Sequence, residues 1–212
     1  MQRTAVCWLI YVQTHSAFML GLAVFALQFP TFLFSPLGGV ISDRYNRYRV
    51  LLTTQVVSLI QATLLMALVI FARYTIAEIF ALSVLLGIIN GFDSPARQSM
   101  VNELIDNKED LPNAIALNSS MANLARMIGP AISGIVLEKL GAGTCFLINA
   151  LSFMAVIVSL LFMRFPKFIQ QPHTKKVFLE FNEGWKYLKV TPLFLVTSTV
   201  LSDLEQWVEH FS

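Results

Sequence analysis

Apolar residues run along the chain in blocks of helix length, and charged residues gather in the short intervals between the blocks. Between Arg3 and Asp43 there is no Asp, Glu, Lys or Arg, and the polar group Gln13, Thr14, His15 and Ser16 divides that stretch into a short helix 1 and a full helix 2. Crossing a hydrocarbon core of about 30 Å takes about 20 apolar residues in a helix. The pattern predicts helix 3 over Val50–Ala72, bracketed by Arg49 and Arg73, helix 4 over Ile76–Ala96, helix 5 over Asn113–Leu137 and helix 6 over Leu140–Met163. A seventh begins near Pro192 and turns acidic at Asp203, Glu205 and Glu209. Helix 1, from Thr4 to Thr14, rises only about 16 Å and falls short of a full crossing. Helices 1 and 7 are therefore expected to be incomplete, the chain being cut short at both ends.

The predicted fold class is an all-α membrane protein with three parts. A transmembrane bundle of helices 1–6 occupies 1–163, a linker 164–191, and the start of the seventh helix 192–212. In the linker, Val177, Phe181, Trp185 and Leu188 recur at helical spacing among Lys176, Glu180, Glu183 and Lys186, the pattern of a helix lying along a membrane face. Composition agrees: 56% of the 212 residues are hydrophobic and only 13% charged, and the mean hydropathy is +0.65. A soluble domain could not hydrate such a surface, so the lipid bilayer is part of the solvent. The net charge of +2 gives no reason to expect a nucleic-acid partner. Cys7 and Cys145 both lie in apolar runs and read as small buried residues; no spacing suggests a metal or other cofactor.

Basic residues fix the orientation, because Lys and Arg concentrate on the cytoplasmic side. If the loop after helix 2 is cytoplasmic, that side holds Arg44, Arg47, Arg49, Arg97, Lys108, Arg164, Lys167, Lys175, Lys176, Lys186 and Lys189. Only Arg73 and Lys139 fall on the other, and Arg3 and Arg126 lie within spans. The N-terminus is thus expected in the cytoplasm.

The loop itself reads Gly39, then Asp43 and Arg44, then Arg47, a G-x-x-x-D-R-x-x-R spacing. A glycine one turn before a loop lets a neighbouring helix approach, Asp43 can pair with Arg47 at i,i+4, and arginines anchor to anionic headgroups. This spacing resembles the signature loop of the major facilitator superfamily. Asn46 stands where that superfamily commonly has glycine, and Asn tolerates a left-handed turn. From Gly87 to Gly134 the chain resembles the superfamily's bacterial drug and siderophore exporter branch, which includes the enterobactin exporter. The residues that carry this are Asn90 to Gln98, Asn113 to Ser119, and Arg126 to Gly134. Gly129, Pro130 and Gly134 on helix 5 are similar to the antiporter motif of exporters; the proline bends the helix and the glycines allow close packing. Gly134 to Glu138 and Lys139 echoes Gly39 to Asp43 and Arg44 on the opposite face, as two inverted three-helix repeats would.

The resemblance implies an N-terminal six-helix half of a proton-coupled exporter in a bacterial inner membrane, with protons and a small amphipathic or anionic molecule as partners and a second six-helix half elsewhere. It also implies a cytoplasmic latch of Asp43, Arg47 and Asp93, for which Arg97 competes at i+4 from Asp93. An importer, and a half that is inactive or works only with a separate second half, are the alternatives. No phosphate-binding G-x-x-x-x-G-K-S/T loop and no nucleophile–base constellation is present, so ATP-driven pumping and enzymatic chemistry are not expected. A charge in a span is costly and usually faces a bundle interior or an aqueous cavity. Arg126 is accordingly expected to face the central cavity and bind an anionic group of the substrate or an acidic partner, with Gln28, Gln61, Asn118 and Asn149 as further pathway candidates or interhelical links.

Overall fold

In a computed structural model, residues 1–71, 74–103 and 110–163 are described, and among them every regular element is a helix. The linker and seventh helix expected over 164–212 lie outside these residues. Helix α1 is Gln2–Thr14, α2 Ala17–Arg44, α3 Arg47–Ile70, α4 Ile76–Glu103 and α5 Leu111–Phe162. By length and composition α2, α3, α4 and α5 can each cross a membrane, whereas α1, at 13 residues, spans about 20 Å.

Local chemistry sets the boundaries. His15 ends α1 in a left-handed conformation, φ 48°, its N–H donating to Tyr11 O at 2.8 Å, and Ser16 caps α2. Asn46 does not take the left-handed turn expected of it: at φ −59° it caps α3, its side chain accepting from Tyr48 N at 3.0 Å. Thr75 and Glu78 form a reciprocal capping box at the start of α4, with bonds of 2.7 and 3.3 Å. The run α5 is 52 residues long, about 78 Å if straight, and it breaks at Gly141, where φ 80° and ψ 170° suit glycine alone. Its two arms fold back on each other, since the Cys145 thiol lies 3.8 Å from Ser133 O although twelve residues separate them. The break comes one residue beyond the start expected for helix 6.

Packing is tightest between α2 and α4. A Cβ added at Gly38 would lie 2.2 Å from Gly91 O and 2.9 Å from Phe92 Cα, and one at Gly87 would lie 2.4 Å from Leu27 O. Such approaches of backbone to backbone admit only glycine. Thr31 Oγ1 bridges the same contact, 2.9 Å from both Leu27 O and Gly87 O, one turn beyond the carbonyl of Ala26 that Pro30 leaves without its helical donor. The close approach expected at Gly39 is therefore made by Gly38; around Gly39 no atom lies within 4 Å of an added Cβ, because it points away from α4. Gly129 and Gly134 likewise meet nothing within 4 Å among the described residues, so the close packing expected of them is not made there.

Two apolar clusters hold the helices together. Toward the Gly141 end, Val6, Leu9, Ile10, Leu65, Ile79 and Phe146 interlock α1, α3, α4 and the second arm of α5. Toward the Asn46 end, Leu51, Met100 and Leu160 do the same for α3, α4 and α5. Cys145 is fully buried and Cys7 partly so, both as free thiols. Large side chains such as Phe18, Phe32 and Phe162 stand outward, 76–84% exposed, which is stable only against lipid or another apolar partner.

Candidate functional site

At the Asn46 end the signature residues form a charged cluster between helices. Arg47 Nη2 lies 3.6 Å from Asp43, its Nε donates to Ser42 O at 3.4 Å, and its Nη1 reaches across to Ser99 O of α4 at 3.5 Å. Asp93, one turn and a half earlier on α4, is largely buried and collects donors from two helices. Its Oδ1 accepts from Thr54 Oγ1 at 2.8 Å and Gln55 Nε2 at 2.7 Å, and its Oδ2 takes Arg97 Nη2 at 3.0 Å. The Arg97 pairing expected at i,i+4 is thus present, and the α3 residues Thr54 and Gln55 are partners that sequence reading missed. Both sit inside an apolar span, where a Thr-Gln pair is the only hint that a polar neighbour faces them. A carboxylate that gathers donors from α3 as well as from an arginine on its own helix ties α4 to α3. Arg44, the remaining signature arginine, lies partly buried at the end of α2.

Deeper in the bundle, polar side chains form a chain across four elements. Asn149 Nδ2 donates to Gln2 Oε1 at 2.7 Å, Gln2 Nε2 to Gln61 Oε1 at 2.9 Å, and Gln61 Nε2 to Leu82 O at 3.0 Å. Gln61 is 1% and Gln2 6% exposed, so every one of these bonds replaces one that water cannot supply. Gln61 is therefore an interhelical link. Beside the chain lies a cavity of about 250 Å³, lined on its polar side by Gln2, Arg3, Ser83, Asn90 and Asn149 and on its apolar side by Val6, Leu27, Leu86 and Phe153. Gln2, Arg3, Ser83 and Asn90 were not among the expected pathway residues. Gln2 precedes the first apolar run, Arg3 was read as a charge within a span but given no role, and Asn90 stood out only as part of a family-like motif.

The other expected pathway residues lie elsewhere. Arg126 is exposed on the first arm of α5, its Nη1 3.3 Å from Asn123 Oδ1, and Gln28 and Asn118 are also exposed. Arg126, Gln28 and Asn118 do not line the cavity that Asn149 lines. Pro130 sits within the same arm without ending it. Among the described residues no group of three or more His, Cys, Asp or Glu side chains could hold a metal.

Residues 1–201 match the family of transmembrane secretion effectors. The chain is 33% identical over 155 residues to the staphyloferrin A transporter of Staphylococcus aureus, a match covering 72% of the chain and 39% of that protein. It is 25% identical over 199 residues to an uncharacterized MFS-type transporter, YfiS, of Bacillus subtilis, covering 90% of the chain and 46% of the relative. The chain spans less than half the length of these curated relatives. No solved structure matches it.

Proposed function

Because this chain belongs to the transmembrane secretion effector family of major facilitator transporters, we propose that it forms part of a secondary transporter that carries a small amphipathic or anionic molecule out of the cell in exchange for protons. It is a multi-pass membrane protein, and its relatives are transporters rather than enzymes. The bacterial inner membrane is its place, and its N-terminus faces the cytoplasm by the distribution of Lys and Arg.

One observation carries the reading: an otherwise apolar bundle keeps a cavity lined by Gln2, Ser83, Asn90 and Asn149, with the exposed Arg3 at its edge, and polar groups of this kind among apolar spans mark substrate and ion paths. Outward movement is supported by Gly129, Pro130 and Gly134, the exporter-like motif. The cluster at Asp93 serves as a latch whose bonds hold in one state of alternating access and break in the other. Arg126, placed on an exposed face of the first arm of α5, meets substrate where that arm borders the transport path. A name among the relatives, a staphyloferrin A transporter, supports transport of a molecule of that kind. A second reading is favoured by the exposure of Leu117, Met121 and Met127 along that same arm, 63–77%: the chain works only when a second six-helix half covers them.

The test follows uptake of fluorescein, an amphipathic fluorescent anion, into inverted membrane vesicles containing the chain. Uptake that an uncoupler abolishes and that Arg126→Ala lowers at least tenfold, with the amount of inserted protein unchanged, is the expected result. Uptake indifferent to both would remove the reading, and uptake appearing only on co-expression of a second half would establish the alternative.

A further inference from the structure

In α2 and α4 the helical hydrogen-bond ladder is interrupted where the two backbones touch. Pro36 and Pro95 have no N–H, so the carbonyls of Phe32 and Gly91 lose their helical donors. Gly91 is itself the point of contact. A Cβ added there would lie 2.9 Å from Phe34 Cβ and 3.3 Å from Ser35 N, both within the weakened turn of α2, and Gly91 O would lie 2.2 Å from a Cβ added at Gly38. One level of the pair thus lacks a hydrogen bond in each helix, and a glycine in α4 adds backbone freedom there. The level of Pro30 differs, because Thr31 Oγ1, 2.9 Å from Gly87 O, pins α2 to α4.

Beyond that level, toward Asn46, lie the short ends 37–44 of α2 and 96–103 of α4. Two polar ties join α4 to α3 here. Asp93, inside the weakened turn, accepts from Thr54 and Gln55, and Arg47 Nη1 reaches Ser99 O at 3.5 Å. Met100 packs on Leu51 and Leu160, but acyl chains are as apolar as leucine, so in a bilayer such a contact is given up at little cost. Ser42, one turn beyond Gly38, is fully buried, and its Oγ has no hydrogen-bond partner among the described residues. An orphaned buried hydroxyl is a cost that a second arrangement of the same ends relieves.

We propose that the turns 32–36 of α2 and 91–95 of α4 form one hinge, about which the Asn46 ends of both helices swing together, and that Asp93 clamps it. The glycine contact couples the two turns: with Gly38 seated on Gly91 O, neither end can bend far without carrying the other. Helix α3 has neither glycine nor proline and serves as the fixed post. The hinge stands on this helix chemistry and needs no cargo; only its use as a gate rests on the transport reading.

Double electron–electron resonance on the full chain in lipid nanodiscs, with Cys7 and Cys145 replaced by alanine, tests this. Nitroxide labels on Ala81→Cys and Gln98→Cys bracket the turn of α4 at exposed positions seventeen residues apart, about 26 Å along a straight helix. Labels on Thr53→Cys and Ile70→Cys bracket the same length of α3. The α4 distance distribution is expected to be about 1.5-fold broader than that of α3, or more. Pro95→Ala, which returns an N–H to Gly91 O, should narrow it to the α3 width, and Pro36→Ala should narrow it in part. Asp93→Ala should broaden it further, with the α3 pair unchanged in every variant. Equal widths for the two pairs, no response to Pro95→Ala or to Asp93→Ala, a response to Pro95→Ala with none to Pro36→Ala, or an equal change in the α3 pair would each overturn the proposal. A chain that exports fluorescein with a straight, unresponsive α4 sinks this inference alone, whereas a hinged α4 in a chain that exports nothing sinks only the transport reading.

Discussion

Replacing Gly38 by valine is expected to prevent α2 from seating on α4. The new Cβ would lie 2.2 Å from Gly91 O and 2.9 Å from Phe92 Cα, both backbone atoms that no rotamer change can withdraw. Overpacking of a well-filled site costs about 1–3 kcal/mol and more where backbone must move. Two such contacts at one residue put the effect at about 3 kcal/mol or above, which corresponds to about 10 °C in Tm for a chain of this size. Gly39→Ala supplies the control. Nothing lies within 4 Å of that Cβ, and alanine is favoured over glycine in a helix by about 1 kcal/mol. Thermal unfolding in detergent, followed by circular dichroism, should show Gly38→Val strongly destabilised or not recoverable and Gly39→Ala unchanged or slightly stabilised. Equal effects at the two positions would mean that α2 and α4 do not pack as described.

Asp93→Ala should have the next largest effect, through the donors it abandons. Thr54 keeps its second bond, to Leu51 O at 2.8 Å. Arg97 is half exposed, so its pair with Asp93 contributes little, about 0.5 kcal/mol. Gln55 is different: it is 2% exposed, and Asp93 is the acceptor for its Nε2. An orphaned buried donor costs about 1–3 kcal/mol, so the variant is expected to lose about 2–3 kcal/mol. If that account holds, Gln55→Leu placed on top of Asp93→Ala removes the orphan and recovers part of the loss. A double-mutant cycle measured by unfolding decides the matter, since additive effects would show that the two residues do not depend on each other.

Much of this arrangement was legible in the sequence, and the misses share physical causes. Charge-free runs located the helices because lipid tolerates only apolar side chains along its depth. They did not locate helix ends, because backbone hydrogen bonding continues past the hydrocarbon: α4 runs to Glu103, beyond the expected stop at Ala96, and α2 and α3 close to within two residues of each other around Tyr45 and Asn46. The Gly38/Gly39 pair shows a second limit, since adjacent helical residues point about 100° apart and only three-dimensional packing says which one faces α4. Asn46 was read for its tolerance of left-handed turns, whereas its side-chain oxygen capping α3 is what the local geometry uses. Within the candidate site, Gln61 and Asn149 were visible as polar residues inside spans. Gln2, which joins them, was not, because an apolar-run reading starts only after it, and Arg3 was read as a charge within a span without being assigned to the pathway.

Apolar helices that thread the bilayer put opposite ends of the bundle in opposite compartments. Single cysteines at positions 46 and 142, introduced as Asn46→Cys and Ala142→Cys with Cys7 and Cys145 replaced, test it through labelling by a membrane-impermeant maleimide in right-side-out and inverted vesicles. Position 46 should react from the cytoplasmic face only and position 142 from the outer face only; reaction of both from the same side would contradict the account.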